Sequence, residues 1–317
     1  MNPMIRMALA ASVATAAAGA LCSSTPAWAT KILAPDLAMF TVLGSSTVTN
    51  VPTSQITKSV GVWSAGGANA ITGFMSSPGV AVPDPQVLSG LVHAGTTTGF
   101  PNAKSAQEQL SVAKLNLASL GPGSLLPANL GGLILAPGVY TVPAGTTNLS
   151  GTLTLDGQGN ANAGWVFQMP STLITSPNSI VNVINTGFGA GLFWNVGSSA
   201  TIDTDSTFLG NILALASITM NTRASDLCGR TLANTGAVTL DKNRLSSLCA
   251  GGFAGSDGLN GGFDVVTQNG ISTVSPLPFL PVGGGSGEVP EPASLGLVAL
   301  GLAGLAAVRR RRLSCNP

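Results

Sequence analysis

Three aspartates close similar short words in this chain: Asp156 in TLTLDG, Asp203 in SATIDT and Asp241 in GAVTLD. Stacked along one edge, such carboxylates would suit acid–base hydrolysis or the holding of a cation. An aspartate at the end of a strand has a commoner use, which is to bond its own backbone two residues on and turn the chain. The single histidine, His93, lies inside an apolar word without a Cys, Asp or Glu cluster, so it reads as a packed side chain and not a metal ligand. No Ser-His-Asp set is available around it, and no Gly-rich phosphate loop opens a helix. Only Arg223, Arg230 and Arg244 accompany the repeated words. This shortage of convergent groups points away from an enzyme, and no cofactor or metal is implied.

The same words carry a second chemistry. Thr154, Thr201, Thr219 and Thr239 each sit between two apolar residues. In a strand, neighbours point to opposite faces. Leu153 and Leu155, Ala200 and Ile202, Ile218 and Met220, and Val238 and Leu240 can therefore enter a core while the threonines face out. Counted at Thr154, Leu173, Thr201, Thr219 and Thr239, the words recur at intervals of 19, 28, 18 and 20 residues. A period near 20 marks a solenoid, whose circuits stack about 4.8 Å apart. The four threonines would then form one outward column, and the 28-residue interval predicts a bulging loop near INTGFGAGLFWNVG. Outward threonine is also ordinary strand material.

The elements that must hold such a column are strands and one helix. Residues 30–100 read as short strands with tight turns. In PNAKSAQEQLSVAKLNLASLGPG, Ala106, Leu110, Ala113, Leu117 and Leu120 mark a helix over about 102–120, capped by Asn102 and stopped by Gly121-Pro122-Gly123. Strands resume from about Leu133 to Leu248. Residues 251–289 are rich in Gly and Pro and read as a spacer, with room for a last strand in GGFDVVTQNGISTV. The domain proper is thus expected over residues 30–250.

Both ends carry processing signals. Residues 1–29 have a positive start at Arg6, an apolar run and the small-x-small site Ala27-Trp28-Ala29, the pattern of a secretory signal peptide. Residues 290–317 begin with Pro290-Glu291-Pro292, continue with an apolar stretch of 16 residues from Ala293 to Val308, and end on Arg309, Arg310, Arg311 and Arg312. The apolar stretch is short for a bilayer span, and the arginines would stay cytoplasmic. Between the signals, eight Lys or Arg face eleven Asp or Glu, a net charge of −3, so nucleic acid is not an expected partner. Cys22 and Cys315 lie in the processed ends, which leaves Cys228 and Cys249 to pair in an oxidising compartment.

The C-terminal pattern resembles the PEP-CTERM sorting signal of Gram-negative bacteria. That resemblance implies an exosortase-type processing enzyme as partner, transient anchoring in the inner membrane, and release or display in an extracellular or cell-surface matrix. The domain resembles the ice-binding-like family. The resemblance rests on FTVLGSSTVTN, ITGF, VHAGT, LAPGVYTV, LTLDGQGNANAGWVFQMPSTLIT, GLFWNVGSSATIDTDSTFLGNILALASITMNT and GRTLANTGAVTLDKN, in order from about Ala38 to Asn243. It implies a mainly β fold, an irregular right-handed parallel β-solenoid of triangular section with one long α-helix packed alongside. Trp165, Phe167, Phe193 and Trp194 fall inside its apolar words and read as core aromatics. The function it implies is adsorption to an ice crystal surface, with the threonine column as the candidate face. The competing expectation is a structural or adhesive matrix protein that holds exopolysaccharide.

Overall fold

A computed structural model of the protein describes residues 29–64 and 66–283. The expected signal peptide, apart from Ala29, and the expected sorting segment over 290–317 lie outside the described residues. Among the described residues no helix is long and apolar enough to cross a membrane.

The fold is mainly β, built of parallel strands that the chain lays down in repeated circuits. From Thr152–Asn160 it passes to Gly164–Met169, then Leu173–Ile174, and returns beside its start at Ile180–Thr186. Each circuit thus adds one strand stretch to each of three rows. One row, the helix face, runs through Gly138–Thr141, Gly164–Met169, Gly191–Val196 and the second halves of Thr207–Ala214 and Ser225–Ala233. The next row is a six-stranded parallel sheet. The third face holds Thr152–Asn160, Ile180–Thr186 and the first halves of Thr207–Ala214 and Ser225–Ala233. These two long strands run through both the third face and the helix face, which joins them into one sheet of 16 strands.

The order of stacking is not the order of sequence. The N-terminal strands Phe40–Gly44, Val48–Val51 and Gln55–Thr57 stack on Ser225–Ala233, Val238–Asp241 and Arg244–Ser246. The chain therefore begins in the middle of the stack and builds outward to Val92–Ala94. It then returns along the stack through the helix Ala103–Ala118 and builds back from the far end. At 16 residues the helix is about 24 Å long, or five strand spacings of about 4.8 Å. Asn102 caps it, accepting from the Ser105 amide at 2.9 Å.

Alternation along the helix-face strands feeds two cores. Trp165, Phe167, Trp194, Ile212 and Ala214 point into the stack, where Phe167 and Trp194 overlap with ring centroids 4.2 Å apart. Val166, Phe193, Leu213, Leu232 and Leu43 point the other way, against Ala106, Leu110, Ala113 and Leu117 of the helix. Both sides of these strands are buried, which is why their words read as near-continuous apolar runs. The four expected aromatics are all buried, Phe193 beneath the helix and the others inside the stack. Each buried leucine of the helix stripe contributes on the order of 2 kcal/mol. Polar contacts fix the helix in register: Lys114 donates to Asn195 Oδ1 at 2.9 Å, Val196 O at 2.9 Å and Leu213 O at 2.8 Å. Burial lowers the Lys114 pKa to about 8.

Part of the expected spacer is not a spacer. Phe263–Gln268 and Ile271–Pro276 form an antiparallel hairpin that also pairs with Ala29–Thr30. Residues 256–262 fill the corner between the third face and the helix face. There Gly191 is needed because a Cβ on it would stand 1.8 Å from Gly261 O. Fully buried Arg230 donates to Asp257 Oδ1 at 2.9 Å and to Ala38 O at 2.8 Å, and Asp257 also pairs with Lys58. The glycines in this text serve close approach of backbones. Cys228 and Cys249 form a disulfide with Cα atoms 4.7 Å apart, closing a separation of 21 residues. The extra length before Thr201 emerges at the same corner, where residues 187–190 link Ile180–Thr186 to Gly191–Val196. Thr207–Ala214 turns that corner within one strand, at Gly210 with φ +103°.

Candidate functional site

The six-stranded sheet carries the threonines. Its strands follow in the spatial order Leu173–Ile174, Ala200–Ile202, Ile218–Met220, Val238–Asp241, Val48–Val51, Ile71–Thr72. Their register places Thr201 beside Thr219, Thr219 beside Thr239, Thr239 beside Thr49, and Thr49 beside Thr72. Ile174 precedes Thr201 in the same line. The five threonines span four strand spacings, about 19 Å. Thr239, Thr49 and Thr72 are exposed, and Thr201 and Thr219 half-buried. The line beneath them, Leu173, Ala200, Ile218, Val238, Val48 and Ile71, is buried throughout. Rigidity follows from that arrangement, because each threonine stands on a strand paired on its flank and packed below.

A polar, weakly charged border lies on each side. Towards the helix face stand Ser199, Ser217, Ala237 and Thr47, whose carbonyls accept from the buried line at 3.1, 2.9, 2.8 and 2.9 Å. Towards the third face stand Asp203, Asn221, Asp241 and Val51. Asp203 Oδ1 accepts from Asn221 Nδ2 at 2.8 Å and from the Thr204 amide at 2.7 Å, and Asp241 accepts from the Thr222 hydroxyl. These bonds hold the Asp203 carboxyl below the usual carboxylate range, with the Asn221 amide the main cause. Beyond the border, Arg223 closes a fork on Asp205 at 2.7 and 2.6 Å.

Thr154 does not belong to this line. It pairs with Ile134 and Asn182 on the third face. The Thr154 word resembles the others because every inward–outward strand of a stack has the same alternation, whichever face it occupies. The step from Thr154 to Leu173 crosses two corners and is less than a circuit. Asp156 lies with Thr154, away from Asp203 and Asp241. It accepts from the Gln158 amide at 2.9 Å, and that bond, then one from Asn185, lowers its pKa. The three carboxylates thus act as turn and border groups and do not converge. His93 is buried against Phe40, ring centroids 5.1 Å apart, and desolvation lowers its pKa to about 4. Among the described residues no group of three or more His, Cys, Asp or Glu is placed to hold a metal ion.

Repeat counting missed Thr49 and Thr72, which precede the helix. The signal was present, since STVTN and AITG match the outward-threonine word, but only the stacking of the two halves shows that they extend the same line.

An ice-binding-like family model matches residues 42–246, nearly the whole stack including both halves of the threonine line. The chain belongs to the ice-binding-like family. It is similar to an ice-binding protein of Nostoc sp. (strain HG1), 44% identical over 211 residues, which cover 66% of this chain and 72% of that one. An ice-binding protein of Flammulina populicola is 33% identical over 218 residues, 64% of this chain and 83% of that one. Among solved structures, the ice-binding protein of the Antarctic ascomycete Antarctomyces psychrotrophicus matches with TM-score 0.57 and 31% identity, over 67% of this chain and 95% of that one. The Shewanella frigidimarina ice-binding protein 1 domain matches with TM-score 0.58 and 28% identity, over 68% of this chain and 98% of that one. A PEP-CTERM protein-sorting motif matches residues 288–312, which marks this ice-binding-like chain for export.

Proposed function

We propose that the protein is a non-enzymatic, exported ice-binding protein that adsorbs to ice through the face bearing Thr201, Thr219, Thr239, Thr49 and Thr72. The observation that carries this reading is the five-threonine line in strand register. A threonine offers a hydroxyl that anchors water and a methyl that discourages random hydration, so a line of them holds water in a repeating order. Each contact is weak, but contacts fixed on one scaffold act together, and joint release is rare. The lysines and arginines of the domain stand off the three central lines of this face, and its carboxylates are already bonded at its border. On this reading the winding is right-handed, the section is three-sided, and Thr154 takes no part. An exosortase-type enzyme processes the C-terminal segment after transient anchoring in the inner membrane.

Inhibition of ice recrystallisation by the processed protein tests the proposal, with thermal hysteresis as a second measure. Activity at micromolar concentration supports it. Inactivity together with retention on exopolysaccharide favours the matrix role, for which the sorting motif is the motivating observation.

A further inference from the structure

A groove of about 740 Å³ runs beside the helix Ala103–Ala118, over the ends of the helix-face strands. It follows successive rows from Asn234 past Leu215, Gly197 and Pro170 to Thr141, four strand spacings or about 19 Å. Gly197, Leu215 and Asn234 precede the border residues Ser199, Ser217 and Ala237 by two or three positions. The groove therefore shares a corner with the threonine face but takes none of the threonine line.

Its two ends differ in chemistry. Towards Thr141 the walls are Leu115, which is 71% exposed, with Ala118, Met169 and Pro170. A concave apolar wall of this size suits the hydrocarbon part of a ligand. Towards Asn234 stands Lys114. Its ammonium donates to three neutral acceptors, Asn195 Oδ1, Val196 O and Leu213 O. Those bonds satisfy its hydrogens and leave its charge unpaired, because among the described residues none that lines the groove is acidic. The Ser111 hydroxyl, one helical turn away, donates to Asn234 Oδ1 at 2.9 Å. The side-chain N–H groups of Asn234 have no acceptor among the described residues, so they are free to bond a ligand beside the lysine charge. One end thus offers a cation with a spare donor and the other an apolar trough.

We propose that this groove binds a free long-chain fatty acid, its carboxylate beside Lys114 and Asn234 and its chain laid along Leu115, Ala118 and Met169 towards Thr141. The anionic head neutralises the charge that the groove holds, and the tail covers the apolar walls; a cation or a polysaccharide does not do both. Twelve carbons extended at about 1.25 Å each span about 15 Å, which fits the trough. The site is independent of the proposed ice face, and recrystallisation activity does not bear on it. The test is calorimetric titration of the processed protein with dodecanoate at pH 7, below its micelle concentration, beside dodecyltrimethylammonium. The expected result is one dodecanoate per chain, held at least about tenfold more tightly than the cation. Ala118→Trp fills the trough without touching the partners of Lys114 and lowers dodecanoate affinity at least about tenfold, with an unchanged melting temperature. Lys114→Met erases the preference for the anion; if that variant fails to fold, Ala118→Trp decides alone. Absence of binding, equal affinity for anion and cation, or full affinity in Ala118→Trp overturns the proposal. Binding to phosphatidylglycerol vesicles without binding of dodecanoate also overturns it, in favour of a lipid surface.

Discussion

Thr219→Tyr is the most discriminating substitution. Thr219 is flanked by Thr201 and Thr239 in the line of five. A tyrosine ring there stands several ångströms above its neighbours and holds a flat surface away from them. Adjacent strands are about 4.8 Å apart, so the two flanking threonines lose contact together with residue 219. Taking about 1 kcal/mol for each anchored hydroxyl, loss of three costs about 3 kcal/mol, or on the order of a 100-fold weaker adsorption. The side chain is half-buried and outward, with Ile218 and Met220 alone pointing into the core, so the fold tolerates the change. The assay is the concentration that halves recrystallisation, with Thr154→Tyr as a matched control on the third face. The expected outcome is a rise on the order of 100-fold for Thr219→Tyr and less than about twofold for Thr154→Tyr. Equal effects of the two, or full activity of Thr219→Tyr with an unchanged melting temperature, would refute the assignment of the face.

Three further outcomes follow from the packing. His93 titrates at about 4 when folded against 6.5 when free, so its contribution is complete above 6.5 and is lost as pH falls towards 4. The loss amounts to about 3 kcal/mol. Asp226, raised by burial, acts in the opposite sense; hence the test is the difference in urea midpoint between the protein and His93→Gln at pH 7 and pH 4.5, which should narrow at the lower pH. Replacing Cys228 and Cys249 by alanine removes a closed loop of 21 residues, with an expected cost of about 3 kcal/mol in denaturant unfolding. Asp257→Ala leaves the buried Arg230 guanidinium without its carboxylate, with an expected loss of about 3 kcal/mol, read as a lower melting temperature and faster proteolysis within residues 250–283.

Much of this molecule is legible from residue order alone, because local rules govern it. Asn102, the stripe from Ala106 to Leu117 and Gly121-Pro122-Gly123 define the helix through capping, 3.6-residue periodicity and a chain break. Alternation identifies which residues face in: Ala200, Ile202, Ile218, Met220, Val238 and Leu240 are all buried. Asp156 and Asp203 bond nearby backbone amides as expected of strand-end aspartates. Cys228 and Cys249 pair. The Gly-rich text after Ala250 misled, because glycine serves close backbone approach as readily as flexibility, and composition does not distinguish the two uses.

Tertiary structure alone decided which outward threonines share a face. A period gives spacing along the chain, but a face depends on how many corners the chain has turned, and unequal circuits hide that count. Thr154 has the right neighbours and stands on the third face; Thr49 and Thr72 lie beyond the helix in sequence and complete the line. The joining of the two halves, Val238–Asp241 against Val48–Val51, is a contact across almost the whole domain. Its register is set by burial on both strands, since a one-residue slip of either strand would turn its own valine, Val238 or Val48, outward and its threonine into the core. Residue types fix what each strand hides, and the winding of the chain fixes what the strands present together.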